Sequence, residues 1–180
     1  ARELLGTLGY FAPTITVDLV PAQGDTTSPP TAPPTVVVTV QPGPLTHIAS
    51  ADIAFTPHPG DEDSQASARQ QQRVQRNWSL TPGQPFTQSA WDAAKSDGLR
   101  QLQSRRHPTA RIAYSRAEVN TDQHEARLSV TYDSGPAYRF GPLRVQGSQR
   151  YDADGARRLA RLPTGAVYDE AELLDAQLRL

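Results

Sequence analysis

Alternating apolar and polar residues predict two neighbouring strands in the second half of the chain. Four apolar residues lie at alternate positions of the segment 124–132: Ala126, Leu128, Val130 and Tyr132. This spacing is typical of a strand that buries one face. Residues 110–119 alternate as well, but their parity changes midway, which predicts a β-bulge near Ser115 and Arg116. The polar segment 120–123 lies between the two strands and favours a hairpin turn.

A helical spacing of apolar residues predicts one strong helix at residues 87–105. Its apolar stripe consists of Trp91, Ala94, Gly98 and Leu102. Thr87 or Ser89 can cap its start, and Pro108 prevents its continuation. Residues 67–78 predict a weaker helix, and its first half is expected to be a loop because it contains so few apolar residues.

An internal repeat runs through the chain. Residues 38–44 (VTVQPGP) correspond to residues 130–136 (VTYDSGP), 92 positions later. Residues 83–86 (GQPF) correspond to residues 165–168 (GAVY). The same order of similar segments indicates successive copies of one module.

The copies differ in the length of one connection. Leu5 and Ile15 correspond to Leu102 and Ile112, 97 positions later, so the offset changes by five residues upstream. The change falls between residues 18 and 34, and five prolines lie at positions 21–34. Because proline fixes φ and lacks an N–H, this segment is predicted to have no regular structure.

The predicted order of elements over residues 45–133 is strand, helix, helix, strand, strand. This order resembles that of POTRA domains, and so do three motifs: Leu4-Leu5-x-x-Leu8-Gly9-Tyr10-Phe11, Asp133-Ser134-Gly135-Pro136-x-Tyr138-x-Phe140-Gly141, and Gly147-Ser148-x-x-Tyr151 followed by Leu162-x-x-Gly165-x-x-Tyr168-Asp169. The last motif resembles the third POTRA of TamA-like proteins. The chain departs from the family pattern at Arg106-His107-Pro108, where the family has Gly-Tyr-Pro or Gly-Tyr-Phe.

The resemblance implies an α+β fold of tandem POTRA modules, each a three-stranded mixed sheet covered by two helices in the order β-α-α-β-β. The expected division is the C-terminal part of a first module at residues 1–44, a complete second module at 45–136, and the N-terminal part of a third at 137–180. Asp152 and Asp154 are expected at a helix N-terminus, where the dipole favours acids. Residues 169–180 are expected to form the next module's second helix.

Composition and charge narrow the class of function. The 180 residues carry 18 Lys and Arg against 19 Asp and Glu, so the net charge of −1 gives no basic footprint for nucleic acid. Arg100, Arg105, Arg106 and Arg111 form a local excess, which we interpret as a solvated helix end rather than a polyanion site. The absence of cysteine excludes disulfides and thiolate metal sites.

No motif points to catalysis. The four histidines lack metal-ligand spacing, and residues 61–63 (DED) are interpreted as a solvated linker rather than a calcium loop. No G-x-S-x-G or phosphate-binding glycine loop occurs. We therefore expect no enzyme activity, cofactor or metal.

The resemblance implies a periplasmic, outer-membrane-attached scaffold in β-barrel assembly or translocation. The second strand of each module, here residues 109–119, would lie at the sheet edge and bind extended polypeptide. Its candidate binding residues are Thr109, Arg111, Ala113, Ser115 and Arg116. The expected partners are unfolded outer-membrane or autotransporter polypeptides and a TamB-like inner-membrane-anchored protein. No nucleic acid is expected, and membrane contact would come only through a C-terminal barrel outside this chain.

Two alternatives remain open at this point. A barrel-less periplasmic repeat or adhesion module would share the same modular pattern. The POTRA region of a two-partner-secretion transporter would share the fold and the edge strand.

Overall fold

A computed structural model describes residues 2–20, 35–56, 58–59, 64–146 and 152–180. The predicted loop at 21–34, the acidic segment at 61–63 and the motif residues at 147–151 lie outside these ranges. The described residues form ten elements: α1 (Arg2–Thr7), β1 (Thr14–Val20), β2 (Thr35–Gln41), β3 (His47–Thr56), α2 (Ser64–Arg76), α3 (Gln88–Gln103), β4 (Arg111–Asn120), β5 (Glu125–Asp133), α4 (Ala153–Ala160) and α5 (Glu170–Arg179).

The strands from β3 to β5 form a mixed three-stranded sheet. Its order is β3-β5-β4, with β3 parallel and β4 antiparallel to β5. The predicted inward residues of β5 are all buried: Ala126, Leu128, Val130 and Tyr132. Together with α2 and α3, the sheet confirms the order β-α-α-β-β and the α+β fold class.

Helix α3 covers this sheet as its apolar stripe predicts. Thr87 is the N-cap, since its side chain accepts a hydrogen bond from the Ala90 N–H. Trp91 and Leu102 lie in one buried cluster with Leu128 and Val130, as expected. Gly98 is required where the helix approaches the sheet, because a Cβ there would overlap the Tyr132 hydroxyl.

Helix α2 is longer than its apolar content predicts. The expectation of a loop in its first half is wrong, because the helix begins at Ser64. Polar contacts hold this half in place. The Ser67 hydroxyl lies 3.1 Å from Nε2 of the buried His107, and Gln70 Nε2 donates to three carbonyl oxygens at the end of α3.

Strand β4 contains the predicted bulge, but at a different place. The register with β5 shifts between Ile112 and Tyr114, so Ala113 is the extra residue rather than Ser115 or Arg116. The bulge therefore reverses the alternation of inward and outward side chains two residues earlier than predicted. Ser115 pairs with the inward-facing Val130, and Tyr114 lies on the solvent face.

The hairpin of β1 and β2 repeats the beginning of the hairpin of β4 and β5. Ile15 pairs with Val40, as Ile112 pairs with Tyr132 at the corresponding positions. Strand β1 has no bulge, and the hairpin exposes apolar side chains such as Leu19 and Val36.

Both later helices begin at acidic caps. Asp152 accepts hydrogen bonds from the N–H groups of Asp154 and Gly155, as expected for α4. Asp169 caps α5 by accepting from the Ala171 N–H. The division of the chain into units at 44/45 and 136/137 stays a prediction.

Candidate functional site

Within the described residues, the three-stranded sheet has one partly covered edge and one open edge. Strand β3 lies at the first edge, where residues 83–85 run beside it. The Ile48 N–H donates to Gln84 O at 2.8 Å, and the Gly83 N–H donates to Ile48 O at 2.8 Å. His47 forms an isolated antiparallel bridge with Pro85. This segment therefore uses hydrogen-bonding groups that an incoming strand would need.

A side chain closes β3 further along. Gln75 Nε2, from α2, donates to the carbonyl oxygen of Ile53 at 2.9 Å. Within the described part of the chain, no segment runs along the outer side of β4 in the same way. Because an edge strand presents unpaired N–H and C=O groups at alternate residues, β4 is the edge where a strand could add.

The predicted binding residues are spread along this edge. Thr109 precedes β4, and a Cβ on Gly135 would lie 2.8 Å from its Oγ1. Arg111 is the first residue of the strand, and Ala113 forms the bulge. Ser115 pairs with Val130 of β5, and both Ser115 and Arg116 are exposed.

Ion pairs on the solvent face of the sheet fix two of these side chains. Arg111 Nη2 lies 2.8 Å from Asp133 Oδ2 on β5, and Arg116 Nε lies 3.0 Å from Glu118 Oε1 on the same strand. The Gly135 N–H and then Arg111 lower the pKa of Asp133 below its ordinary value. A hydrogen bond with the Tyr114 side chain, and then the charge of Glu118, raises the pKa of Arg116.

Tyr114 is the edge residue that the sequence pattern placed wrongly. A bulge near Ser115 and Arg116, as predicted, would put Tyr114 on the same buried face as Ile112, whereas its side chain is 49% exposed. Tyr114 and Arg116 therefore present an aromatic and a cationic side chain beside the open backbone. Only the correct position of the bulge could have revealed this.

A second feature lies on the helical side of the molecule. Helix α2, the C-terminal end of α3 and the start of α5 enclose a cleft of about 630 Å³. Four arginines line it: Arg69, Arg73, Arg105 and Arg106. The sequence drew attention to the last two, but Arg69 and Arg73 were missed because they belong to the helix that was predicted only weakly.

Backbone hydrogen bonds join the end of α3 to the residues that follow β5. The Tyr138 N–H donates to Arg106 O and the Arg106 N–H donates to Tyr168 O, each at 2.8 Å. The Glu170 N–H donates to Ser104 O at 2.9 Å, and Arg105 Nε lies 3.7 Å from Asp169 Oδ2. We call these contacts the second junction.

A corresponding set of contacts, the first junction, lies near the start of the chain. The Thr46 N–H donates to Gly9 O at 3.0 Å, and the Phe86 N–H donates to Thr46 O at 2.9 Å. The rings of Phe11 and Phe86 lie 5.9 Å apart. Gly9 and Arg106 hold corresponding positions, and both have left-handed φ angles, 97° and 67°.

Metal-ligand clusters and membrane-spanning helices were also sought among the described residues. Among the described residues, no three His, Cys, Asp or Glu side chains converge as metal ligands would. In the same ranges, no helix has the length and apolar character needed to cross a bilayer.

The similarity to solved structures decides the fold. A crystal structure of the POTRA3-5 segment of BamA from Haemophilus influenzae matches 99% of this chain at a TM-score of 0.55 and 17% identity. The described residues adopt the POTRA fold. The crystal structure of BamA from Haemophilus ducreyi lacking POTRA domains 1-3 matches 74% of the chain at a TM-score of 0.52 and 16% identity.

The match is to parts of longer POTRA-containing structures. This chain spans 64% of the first structure and 23% of the second. No protein-family model matches the sequence. The POTRA fold is thus established by backbone geometry, at sequence identities too low to carry over a function.

Proposed function

We propose that the chain is the periplasmic POTRA region of an outer-membrane β-barrel assembly or translocation factor, and that it acts as a non-enzymatic scaffold. The similarity to the POTRA segment of BamA along 99% of the chain supports this class of protein. The observation that carries the proposal is the unequal pair of sheet edges: residues 83–85 and Gln75 cover part of β3, whereas no described segment runs along β4.

The proposed activity is addition of an extended polypeptide to β4. About five backbone hydrogen bonds, each contributing a net 0.5–1.5 kcal/mol or so, would give a few kcal/mol. Such binding is weak and depends little on the client's sequence. This suits brief contact with many unfolded outer-membrane or autotransporter polypeptides.

The finer assignment is to a TamA-like member. It rests on Leu162-x-x-Gly165-x-x-Tyr168-Asp169, in which Tyr168 takes part in the second junction and Asp169 caps α5. A TamB-like, inner-membrane-anchored protein would then be a second partner. Attachment to the outer membrane would come through a barrel outside this chain.

Ala113→Pro tests the proposed binding mode. Ala113 has no partner in β5, and proline is tolerated in edge strands and at bulges, so the fold should persist. Proline removes an N–H and places a ring at the edge, so affinity for an extended peptide from an outer-membrane strand should fall about tenfold. Amide chemical-shift changes during titration should cluster in residues 111–119 of the unmodified chain.

Ala113→Gly is the matched control, because it shortens the side chain and keeps the N–H. It should bind the peptide like the unmodified chain if the backbone makes the contact. Equal binding by the proline variant, or shift changes centred on the end of α3, would contradict binding at the β4 edge.

A further inference from the structure

We propose that the cleft between α2, the end of α3 and the start of α5 docks an acidic segment of a partner protein that also carries apolar side chains. The cleft lies on the helical side of the molecule, away from the β4 edge. This inference therefore stands independently of strand addition.

Two arginines of α2 supply free positive charge. Arg69 and Arg73 are four residues apart, so they lie on the same helix face. Both are exposed, and within the described ranges no carboxylate lies at ion-pair distance from either. On the opposite side of the cleft, Arg105 Nε lies 3.7 Å from Asp169 Oδ2, which is a long ion pair. These guanidinium groups are matched in geometry to carboxylates.

The amide of Gln101 adds a hydrogen-bond donor to the cleft. Asn77 Nδ2 donates to Gln101 Oε1 at 3.3 Å, and this bond leaves the amide hydrogens of Gln101 without a partner in the described residues. A carboxylate or a peptide carbonyl of a ligand would accept a hydrogen bond from this Gln101 amide.

An exposed leucine adds an apolar component. Counting from the caps Thr87 and Asp169, Leu174 of α5 holds the position that Asp92 holds in α3. Asp92 is exposed and pairs with Lys95, whereas Leu174 lines the cleft and is 52% exposed. A purely anionic ligand would gain nothing from this leucine.

Size and charge both favour a peptide. A volume of about 630 Å³ accommodates several side chains, within the range of ordinary binding clefts. Asp169 and Glu170 also line the cleft and temper its positive charge. A segment with alternating carboxylates and apolar residues fits this balance better than a polyphosphate.

The test is fluorescence anisotropy on the full chain with a fluorescein-labelled amphipathic peptide of glutamate and leucine. The double substitution Arg69→Gln with Arg73→Gln should weaken binding about tenfold. Leu174→Asp should weaken it by a similar factor. Added salt should weaken it further, because the cleft is open to solvent.

The matched control is Arg76→Gln with Arg127→Gln, which removes the same charge from positions outside the cleft. This control should bind the peptide like the unmodified chain. An equal loss in the control, or equal binding of a peptide with lysine in place of glutamate, would overturn the proposal.

Amide shifts separate this site from the sheet edge. The acidic peptide should perturb residues 69–77 and 101–105, and Ala113→Pro should leave its affinity unchanged. Perturbation confined to residues 111–119 would overturn docking in the cleft while leaving strand addition standing.

Discussion

The two junctions share the same pattern of backbone hydrogen bonds, but the first has Gly9 where the second has Arg106. Thr46 N–H donates to Gly9 O in the first junction, and Tyr138 N–H donates to Arg106 O at the corresponding place in the second. The loops that follow also correspond. Ile48 N–H donates to Gln84 O, and Phe140 N–H donates to Ala166 O, each at 2.8 Å. The repeat therefore preserves backbone contacts where side chains have changed.

The difference lies in how closely the neighbouring carbonyl approaches. In the first junction the Phe86 carbonyl oxygen lies where a Cβ of Gly9 would be, so only glycine fits. In the second, the corresponding Tyr168 oxygen accepts the N–H of Arg106 instead. A left-handed arginine costs about 1–2 kcal/mol, which this hydrogen bond and that of Glu170 N–H to Ser104 O can offset. A residue with a Cβ can therefore replace glycine at this position when the neighbouring carbonyl oxygen does not occupy the site of the Cβ.

The largest effect should come from breaking the core on which both junctions rest. Leu128 is 2% exposed, and its replacement by alanine should cost about 2–5 kcal/mol of unfolding free energy. Urea denaturation followed by the fluorescence of the two buried tryptophans measures this. Leu19→Ala is the control, because Leu19 is 67% exposed and should change stability by no more than about 0.5 kcal/mol. A loss below about 1 kcal/mol for Leu128→Ala would show that Leu128 is not core.

A smaller effect should separate the two junctions. Gly9→Ala forces a Cβ against the Phe86 carbonyl oxygen and should cost about 1–3 kcal/mol. Hydrogen exchange of the Thr46 amide should accelerate, because that amide donates to Gly9 O. Exchange of the Tyr138 amide in the second junction should not change.

Arg106→Ala is the matched control for this comparison, since both arginine and alanine carry a Cβ. It should change stability by about 0.5 kcal/mol or less and leave the exchange of the Thr46 amide unchanged. Equal losses for Gly9→Ala and Arg106→Ala would show that the close carbonyl is not what requires glycine.

The smallest effect concerns the hairpin that leads into the second junction. The Gly135 N–H and Arg111 lower the pKa of Asp133 in the folded chain, so ionised Asp133 stabilises the fold above its unfolded pKa of about 4. That contribution should disappear as pH falls through the lower, folded pKa. Asp133→Asn should therefore flatten the pH dependence of Tm below about pH 4. An unchanged acid slope would contradict this role.

Elements that depend on apolar periodicity were predictable from the sequence. The stripe of α3 and the alternation of β5 identify both elements and their buried faces, because burial alone selects those residues. The cap Thr87 and the helix N-terminal acid Asp152 were readable for the same local reason. The fold class followed from the resemblance of this order of elements, and of three motifs, to POTRA domains.

Features that depend on polar contacts between distant residues were not predictable. The first half of α2 is held by Ser67 and Gln70, whose partners lie about thirty to forty residues away in the sequence. The bulge at Ala113 was misplaced because either position restores the alternation at Ala117. The position of the α2 arginines in the cleft and the hydrogen bond from Gln75 to β3 also depend on how α2 packs against the rest of the fold.

The closure of β3 limits how this sheet can join copies of itself. A filament that grows head to tail needs two complementary edges on every subunit, and among the described residues β3 is already hydrogen-bonded on its outer side at Ile48 and Ile53. Two copies could pair β4 against β4, but that pairing is isologous and uses the open β4 edge of both copies. Self-association through β4 should therefore stop at a dimer, and a client strand bound at β4 should prevent it.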